Sequence, residues 1–173
     1  KPQQLNNIKE INFNETNKFF LISILAGVSL KTLENIFPNH NCIRAVTNIP
    51  ITIGKGLTAI AWNNYIDEKN KTFIKNIFEN SGKVFELSED YLDIFLALTS
   101  SAPAIIALII EALGDGGLSG GLSKKLSEEL VIDMILGTVL MMKDLDVSPS
   151  ELKNMVTSPA GTTITAIRIL EKK

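Results

Sequence analysis

The amino-acid sequence predicts an α/β portion followed by an all-helical portion. Up to residue 87, short apolar runs alternate with amphipathic segments, which is the pattern of an open α/β sheet. From residue 88 onward, apolar residues recur at helical spacing and no strand pattern remains. We therefore predict two domains, covering residues 1–87 and 88–173.

Four apolar runs in the first domain predict strands, because short apolar runs between turn residues are typical of buried strands. They cover residues 19–25, 42–46, 57–62 and 84–87. Two helices are predicted between them, at 30–37 after the capping residue Ser29 and at 67–80, where the apolar residues form one face. Residues 1–11 are polar and predict a helix or a loop.

The longest apolar stretch, residues 91–113, is long enough to raise the question of a membrane span. Asp93 and Glu111 interrupt it, and charges inside a span are costly. We interpret the stretch as a helix buried inside a protein. Since a chain of 173 residues offers little else to cover such a helix, the simplest cover is a second copy of the chain. A membrane helix is the alternative.

Five glycines lie between this stretch and a further helix predicted to begin at Ser123. They are Gly114, Gly116, Gly117, Gly120 and Gly121. A phosphate-binding glycine loop must follow a strand and open a helix, whereas this cluster follows a helix. We interpret it as a turn between two helices. No dinucleotide-binding fingerprint occurs elsewhere in the sequence.

Residues 148–170 predict two helices joined by a turn. Ser148, Pro149 and Glu151 form a capping pattern that starts the first helix. Residues 157–163 interrupt it, and a second helix follows. This small-residue turn leaves the N–H groups of the second helix available to an anion such as a carboxylate. The same residues are ordinary turn formers, so a plain turn between helices is the alternative.

Composition and charge narrow the class of function. The net charge is −2 and no basic block is present, which argues against nucleic acid or an anionic membrane as a partner. The single cysteine, Cys42, excludes an internal disulfide and fits a reducing compartment such as the cytoplasm. The first residues lack the apolar run of a signal peptide. His40 has no partner at metal-ligand spacing, so no metal site is predicted.

Residues 149–171 resemble the signature of the pyrroline-5-carboxylate reductase family. The resemblance is carried by Pro149, Leu152, residues 156–158, residues 160–163, Ala166, Ile167, Leu170 and Glu171. Ala160 departs from the glycine that the family usually has at that position. The resemblance covers nearly the whole chain. It implies the remainder of a Rossmann-type sheet followed by a helical dimerisation domain.

The resemblance implies an oxidoreductase that reduces 1-pyrroline-5-carboxylate to L-proline, the last step of proline biosynthesis. The hydride donor would be NADPH or NADH. The backbone around Ala160, Gly161 and Thr162 would hold the substrate carboxylate. Thr163 would contact the ring nitrogen as the catalytic residue, and Ser158 would support the loop.

Three short segments resemble the family's cofactor loops. They are Lys1 and Pro2 at the start of the chain, Ala26 and Gly27 after the first predicted strand, and Thr47 and Asn48 after the second. Ligands in open α/β sheets bind at the carboxyl ends of strands, so the last two segments also suit a cofactor on physical grounds. The alternative is that each simply ends a strand.

Two further positions carry a partial resemblance. Residues 99–104 resemble a Ser-Gly-Ser-Gly-Pro-Ala stretch of the family, with Ser100 and Ala102 in place of its glycines. The two added side chains are expected to narrow a close backbone approach, and Pro103 is expected to kink the helix. Asp146 falls where the family tends to have a glutamate near the substrate loop. As a lone acid at a helix end, it is alternatively a solvated surface residue.

By this resemblance, the chain is expected to be the C-terminal part of a reductase, trimmed at both ends. The family forms dimers that exchange helices, and rings of dimers. Two other functions stay open: a non-catalytic dimerisation fragment, and another dehydrogenase with a helical dimer domain. Activity on a 2-hydroxy or 3-hydroxy acid would support the last. The choice between NADH and NADPH is expected to lie in the segment upstream.

Overall fold

The computed structural model describes residues 2, 5, 19–63 and 65–172. The chain divides into two compact units, the first extending to Ile105 and the second starting at Ile106. The first unit carries a sheet, and the second is helical throughout its described residues. The compact units thus divide after Ile105, whereas the sequence predicts a domain boundary at residue 88. The reason is that Leu92 is fully buried in the core of the sheet.

Four strands form the sheet within the described residues. They are β1 (Phe20–Ser23), β2 (Asn41–Thr47), β3 (Gly56–Trp62) and β4 (Gly82–Glu86). Their order in the sheet follows the chain, with β1 parallel to β2, β2 antiparallel to β3, and β3 parallel to β4. A single 3-10 turn, Ile49–Ile53, joins β2 to β3 and is too short for a parallel crossover. The α/β sheet is thus confirmed, and it is a mixed sheet.

Two helices, α1 (Leu30–Ile36) and α2 (Glu68–Glu79), follow β1 and β3. Ser29 caps the first, where its Oγ accepts a hydrogen bond from the N–H of Thr32 at 3.1 Å. Asp67 caps the second by accepting from the N–H of Asn70 at 2.8 Å. Both helices therefore begin where a capping side chain satisfies a free N–H group.

Apolar residues pack on both faces of the sheet. Along β2, Ile43 and Ala45 belong to one buried cluster, and Cys42 and Val46 belong to the other. This alternation follows from the pleat, which points successive side chains to opposite faces. Burial raises the pKa of the Cys42 thiol to about 11, with a smaller contribution from the charge of Glu34. Cys42 is therefore a neutral core residue.

The long apolar segment is a series of helical pieces. They are a 3-10 turn (Glu89–Tyr91), α3 (Leu92–Leu96), a π-helical turn (Ala97–Ser101) and α4 (Ala102–Ser119). The π turn ends two residues before Pro103, which has no N–H for the hydrogen bonds of the helix, so the irregularity has an identifiable cause. By length and composition alone, the stretch Glu89–Ser119 could cross a membrane.

The second unit continues with three more helices. They are α5 (Lys124–Asp144), α6 (Pro149–Met155) and α7 (Thr162–Leu170). At the start of α6, Ser148 Oγ accepts from the N–H of Glu151 at 3.2 Å, and the Glu151 carboxylate accepts from the N–H of Ser148 at 2.8 Å. The predicted capping box is confirmed.

The glycine cluster does not form one turn between helices, so that prediction is wrong in part. Gly114, Gly116 and Gly117 lie inside α4, and only Gly120 and Gly121 lie in the turn. A Cβ added at Gly117 would lie 2.7 Å from Ser127 Oγ. The glycine therefore serves the close approach of α4 and α5, which outweighs its low helix propensity.

Candidate functional site

Residues 158–163 form a tight turn that opens α7. The N–H of Gly161 donates to the carbonyl of Ser158 at 3.0 Å, with Pro159 and Ala160 in the middle of the turn. Ala160 has a φ of 58°, a left-handed conformation that costs a residue with a Cβ about 1–2 kcal/mol. A Cβ added at Gly161 would lie 2.6 Å from Ser158 Oγ. The turn therefore has little freedom to change shape.

The N-terminus of α7 has no side-chain cap. Gly161 occupies the capping position and has no side chain to offer. Within the described residues, no group accepts a hydrogen bond from the first N–H groups of the helix, those of Thr162, Thr163 and Ile164. Because these donors lie at the positive end of the helix dipole, they suit a carboxylate or another small anion.

Two hydroxyls flank these free N–H groups. Ser158 and Thr163 are exposed, and neither side chain makes a hydrogen bond in the part of the chain that the structure describes. The Thr165 hydroxyl, two residues further along, donates instead to the carbonyl of Gly161 at 3.1 Å. The hydroxyl of Thr163 is therefore available to a bound molecule.

Asp146 lies in the turn that ends α5. It is exposed with a φ of 51°, and the next N–H, that of Val147, donates to the carbonyl of Met142 at 3.1 Å. This is the Schellman ending of a helix, in which a left-handed residue follows the cap. Asp146 makes no hydrogen bond or ion pair with Thr163 or any other described residue. Its backbone therefore has a structural role, and its carboxylate is free.

The other predicted residues lie at the edge of the sheet where β1 and β2 end. These strands are parallel, so the loops that follow them meet at the same edge. Ala26 and Gly27 form an exposed turn after β1, and Gly27 has a φ of 72° with open space around it. Thr47 is the last residue of β2, and Asn48 follows it. The sheet therefore brings these two predicted loops together.

The loop after β2 is bonded to the long helical segment. Asn48 is 7% exposed, and its side-chain amide donates to the carbonyl of Thr99 at 3.2 Å and accepts from the N–H of Leu57 at 2.8 Å. Ser100 Oγ donates to the carbonyl of Thr47 at 3.1 Å. The Asn48 amide is thus committed to the protein, and a cofactor contact at this position would come from the main chain. The sequence predicts that the Ser100 side chain narrows a close backbone approach. In the structure, this side chain also makes a hydrogen bond.

Sequence patterns assign no role to Arg44, yet it joins three elements near this edge. It is 5% exposed, and its guanidinium contacts the carboxylates of Glu89 at 3.1 Å and Asp93 at 3.2 Å. The same Glu89 oxygen accepts from the N–H of Leu30 at 2.7 Å, at the start of α1. A lone arginine inside an apolar strand, together with two acids spaced four residues apart, was the available signal.

Exposed apolar surface surrounds the two loops. Ile24 follows β1, and Ile49 and Ile53 belong to the 3-10 turn after β2; they are 64%, 70% and 74% exposed. These three side chains give the edge of the sheet an apolar surface beside the two loops. Pro2 is exposed, and Lys1 lies outside the described residues.

An open sheet with its loops at one edge, in the same chain as a helical unit with an uncapped helix N-terminus, defines an α/β fold followed by a helical region. Residues 89–173 match the family described as pyrroline-5-carboxylate reductase dimerisation. Over 172 residues, 99% of the chain, the sequence is 41% identical to the pyrroline-5-carboxylate reductase of Synechocystis sp., and it covers 64% of that protein.

Solved structures agree with this assignment. The pyrroline carboxylate reductase of Plasmodium falciparum with NADP bound is 33% identical with a TM-score of 0.83, over 88% of this chain and 62% of that one. The enzyme of Streptococcus pyogenes is 30% identical with a TM-score of 0.84, over 90% of this chain and 60% of that one. The chain belongs to the pyrroline-5-carboxylate reductase family. It spans less than two thirds of the length of these relatives.

Proposed function

We propose that the chain is part of an NAD(P)H-dependent reductase that converts 1-pyrroline-5-carboxylate to L-proline. The observation that carries the proposal is the uncapped N-terminus of α7 behind a constrained turn, with free hydroxyls on both sides. A small cyclic imine with one carboxylate matches that set of donors. The relatives reported above carry this enzyme's name, and one has NADP bound.

The substrate carboxylate lies against the backbone around Ala160, Gly161 and Thr162. It binds the free N–H groups of Thr162 and Thr163 at the start of α7, because the N–H of Gly161 already donates to the carbonyl of Ser158. The hydroxyl of Thr163 accepts a hydrogen bond from the protonated ring nitrogen. Ser158 keeps the turn closed through its carbonyl, which is bonded to the N–H of Gly161. Together these contacts hold the ring in one orientation, which is a proximity effect.

The reaction needs no acid or base from the chain in the hydride step. The reduced nicotinamide supplies a hydride, which bonds to C5 of the iminium, and the electron pair of the C=N bond moves to nitrogen. The nitrogen, already protonated, becomes the neutral amine of proline. Thr163 orients that nitrogen, and the free carboxylate of Asp146 adds negative charge that favours the iminium form.

The cofactor's nicotinamide end lies at the sheet edge formed by the loops after β1 and β2. The main chain of Ala26, Gly27, Thr47 and Asn48 would hold it, and Ile49, which is exposed, would offer it an apolar contact. Pro2 and Lys1 contribute to the same cofactor domain. The cofactor is NADPH or NADH.

A second copy of the chain is the partner of the helical unit, as a homodimer or a ring of dimers in the cytoplasm. The family description of residues 89–173 as a dimerisation region supports this. Against a membrane span, the start of the long segment is bonded to the sheet through Glu89, Asp93 and Ser100. The part left over, α4, still carries Glu111 and Asp115, which are costly in a bilayer.

The test is NAD(P)H oxidation with pyrroline-5-carboxylate, run on this chain and on the longest natural chain that contains it. We expect turnover in the longer chain. Thr163→Val, which removes only the hydroxyl, should lower kcat/KM by about tenfold or more. Thr165→Val, two residues further along α7, is the matched control and should keep the activity. No turnover in either chain, with a folded dimer seen by light scattering, would leave a non-catalytic dimerisation module.

A further inference from the structure

We infer that Ser100 is a positioning residue for the hydride step, acting through the loop that follows β2. This inference rests on the proposed reductase function and adds a residue outside the substrate turn. Ser100 lies in the π turn of the long segment, and its hydroxyl donates to the carbonyl of Thr47 at 3.1 Å. It thereby ties the cofactor edge of the sheet to the helix that leads into the second unit.

Two hydrogen bonds run in opposite directions between the same two segments. Ser100 donates from the helix to the loop, and Asn48 donates from the loop to the carbonyl of Thr99 at 3.2 Å. We call these four residues, Thr47, Asn48, Thr99 and Ser100, the clamp. Because each segment both donates and accepts, neither can shift along the other without losing a bond.

The sequence explains why the helix has a free acceptor at this point. In a regular α-helix, the carbonyl of Thr99 would accept from the N–H four residues later, but that residue is Pro103, which has none. The carbonyl is therefore available, and the Asn48 amide takes it. Both hydrogen bonds of the buried Asn48 amide stabilise this arrangement, because a buried donor without a partner costs free energy.

The rest of the loop is held as firmly. The Thr47 and Thr58 hydroxyls lie 3.2 Å apart, with Thr58 only 2% exposed, and Asn48 Oδ1 accepts from the N–H of Leu57 at 2.8 Å. The loop's sheet side is thus fixed by buried partners. From the helix side, the half-buried Ser100 holds the main chain of Thr47 through its hydroxyl. Removing its hydroxyl should therefore loosen the loop without unfolding the sheet.

The loop borders the proposed nicotinamide position, so its placement affects the distance between hydride donor and acceptor. A shift of about 1 Å in such a distance can cost a hundredfold in rate, and loss of one of several anchors should cost less. We expect Ser100→Ala to lower kcat about tenfold and to raise the deuterium isotope effect on kcat with C4-deuterated cofactor. The KM for the imine should stay within about twofold because the substrate turn is untouched.

Ser101→Ala is the matched control, since Ser101 lies in the same π turn, is exposed, and its side chain makes no hydrogen bond within the described residues. It should leave the kinetics unchanged, and Ser100→Thr, which keeps the hydroxyl, should restore part of the rate. Hydrogen exchange gives a readout that is independent of activity. The Leu57 amide, bonded to Asn48, should exchange about fivefold faster in Ser100→Ala than in Ser101→Ala.

Each experimental outcome tests a different part of the inference. Unchanged Leu57 exchange in Ser100→Ala would overturn the clamp. Faster exchange with unchanged kcat and isotope effect would show that the clamp is only structural and would overturn the positioning role. Absence of turnover in the unsubstituted natural chain would overturn the reductase proposal and the kinetic role with it, while the exchange experiment would still decide whether the clamp forms.

Discussion

The two units of the molecule bury apolar surface in different ways. The first unit has a core on both faces of its sheet, where Ile43, Ile60 and Leu92 are all fully buried. In the second unit, the described helices bury only Gly114, Ser127 and Leu152. Most of its large apolar side chains are more than 40% exposed, as in Leu108 at 64% and Leu136 at 56%.

The difference shows that only the first unit is stabilised by its own core. Helices with apolar residues on most faces are stable only when another surface covers them. The family's name for this region supports a second copy as that surface. The stability of the helical unit should then depend on protein concentration, whereas that of the sheet unit should not.

The largest expected effect comes from placing a charge on the exposed apolar face of α5. Ile132, Leu136 and Val139 recur at helical spacing and are 50%, 56% and 56% exposed. Leu136→Lys should weaken self-association by a hundredfold or more, roughly, because a two-fold contact loses the burial of two leucines at about 2 kcal/mol each. Sedimentation velocity over a concentration series measures this.

Asp133→Asn is the control for Leu136→Lys, since it adds the same positive unit of charge to α5 without altering an apolar side chain. It should leave the oligomeric state unchanged. If both variants self-associate as tightly as the unsubstituted chain, the role of this face is contradicted.

The next effect concerns the ion network of the first unit. Glu89→Ala removes the less exposed partner of the buried Arg44 and should cost about 3 kcal/mol of unfolding free energy. Asp93→Ala removes a partner whose side chain is 79% exposed and should cost less than about 1 kcal/mol. Urea unfolding followed at two protein concentrations would measure both. A cost that varies with concentration would contradict the assignment of this network to a self-sufficient core.

A smaller effect is expected in the substrate turn. Ala160→Gly relieves a left-handed conformation worth about 1–2 kcal/mol, offset by the entropy that glycine adds to the unfolded chain, so a net gain of about 0.5 kcal/mol is expected. Ala166→Gly, in the interior of α7, should instead destabilise the helix. Thermal unfolding compares the two, and a loss of stability in Ala160→Gly would contradict the strain at this turn.

The smallest effect is a pH dependence in α6. The hydrogen bonds from the Ser148 hydroxyl and N–H lower the pKa of Glu151 below its ordinary value of 4.5. A lowered pKa stabilises the folded form above the ordinary value, and this stability is lost as the pH falls through the folded pKa. The difference in Tm between the chain and Glu151→Ala should therefore be present at pH 6 and should shrink as the pH falls below 4.5. A difference independent of pH would contradict the capping charge.

Much of the fold could be predicted because it depends on local patterns. The apolar runs located all four described strands, and Ser29 and Ser148 located two helix starts. The antiparallel β3 was harder to predict, because strand direction depends on the connection and not on the run itself. The glycines of α4 were misinterpreted because their partner, Ser127, lies on another helix.

The candidate site was predictable to a different extent in its two parts. The turn before α7 is formed by residues close in sequence, so Pro159 and Gly161 were enough to predict it. The clamp joins residues that are far apart in sequence. Asn48 and Thr99 are 51 positions apart, and Thr47 and Ser100 are 53 positions apart. Such long-range pairs leave no periodic signal in a single sequence.

The reversal of β3 separates the two rims of the sheet, and this has a practical use. The rim where β2 begins and β3 ends carries Tyr65 in the following turn, 84% exposed, on the side away from the loop at Thr47. The native thiol, Cys42, is buried and protonated, so it should resist maleimides. A Tyr65→Cys variant would then accept a single fluorophore, and energy transfer between labelled copies could follow subunit exchange in real time.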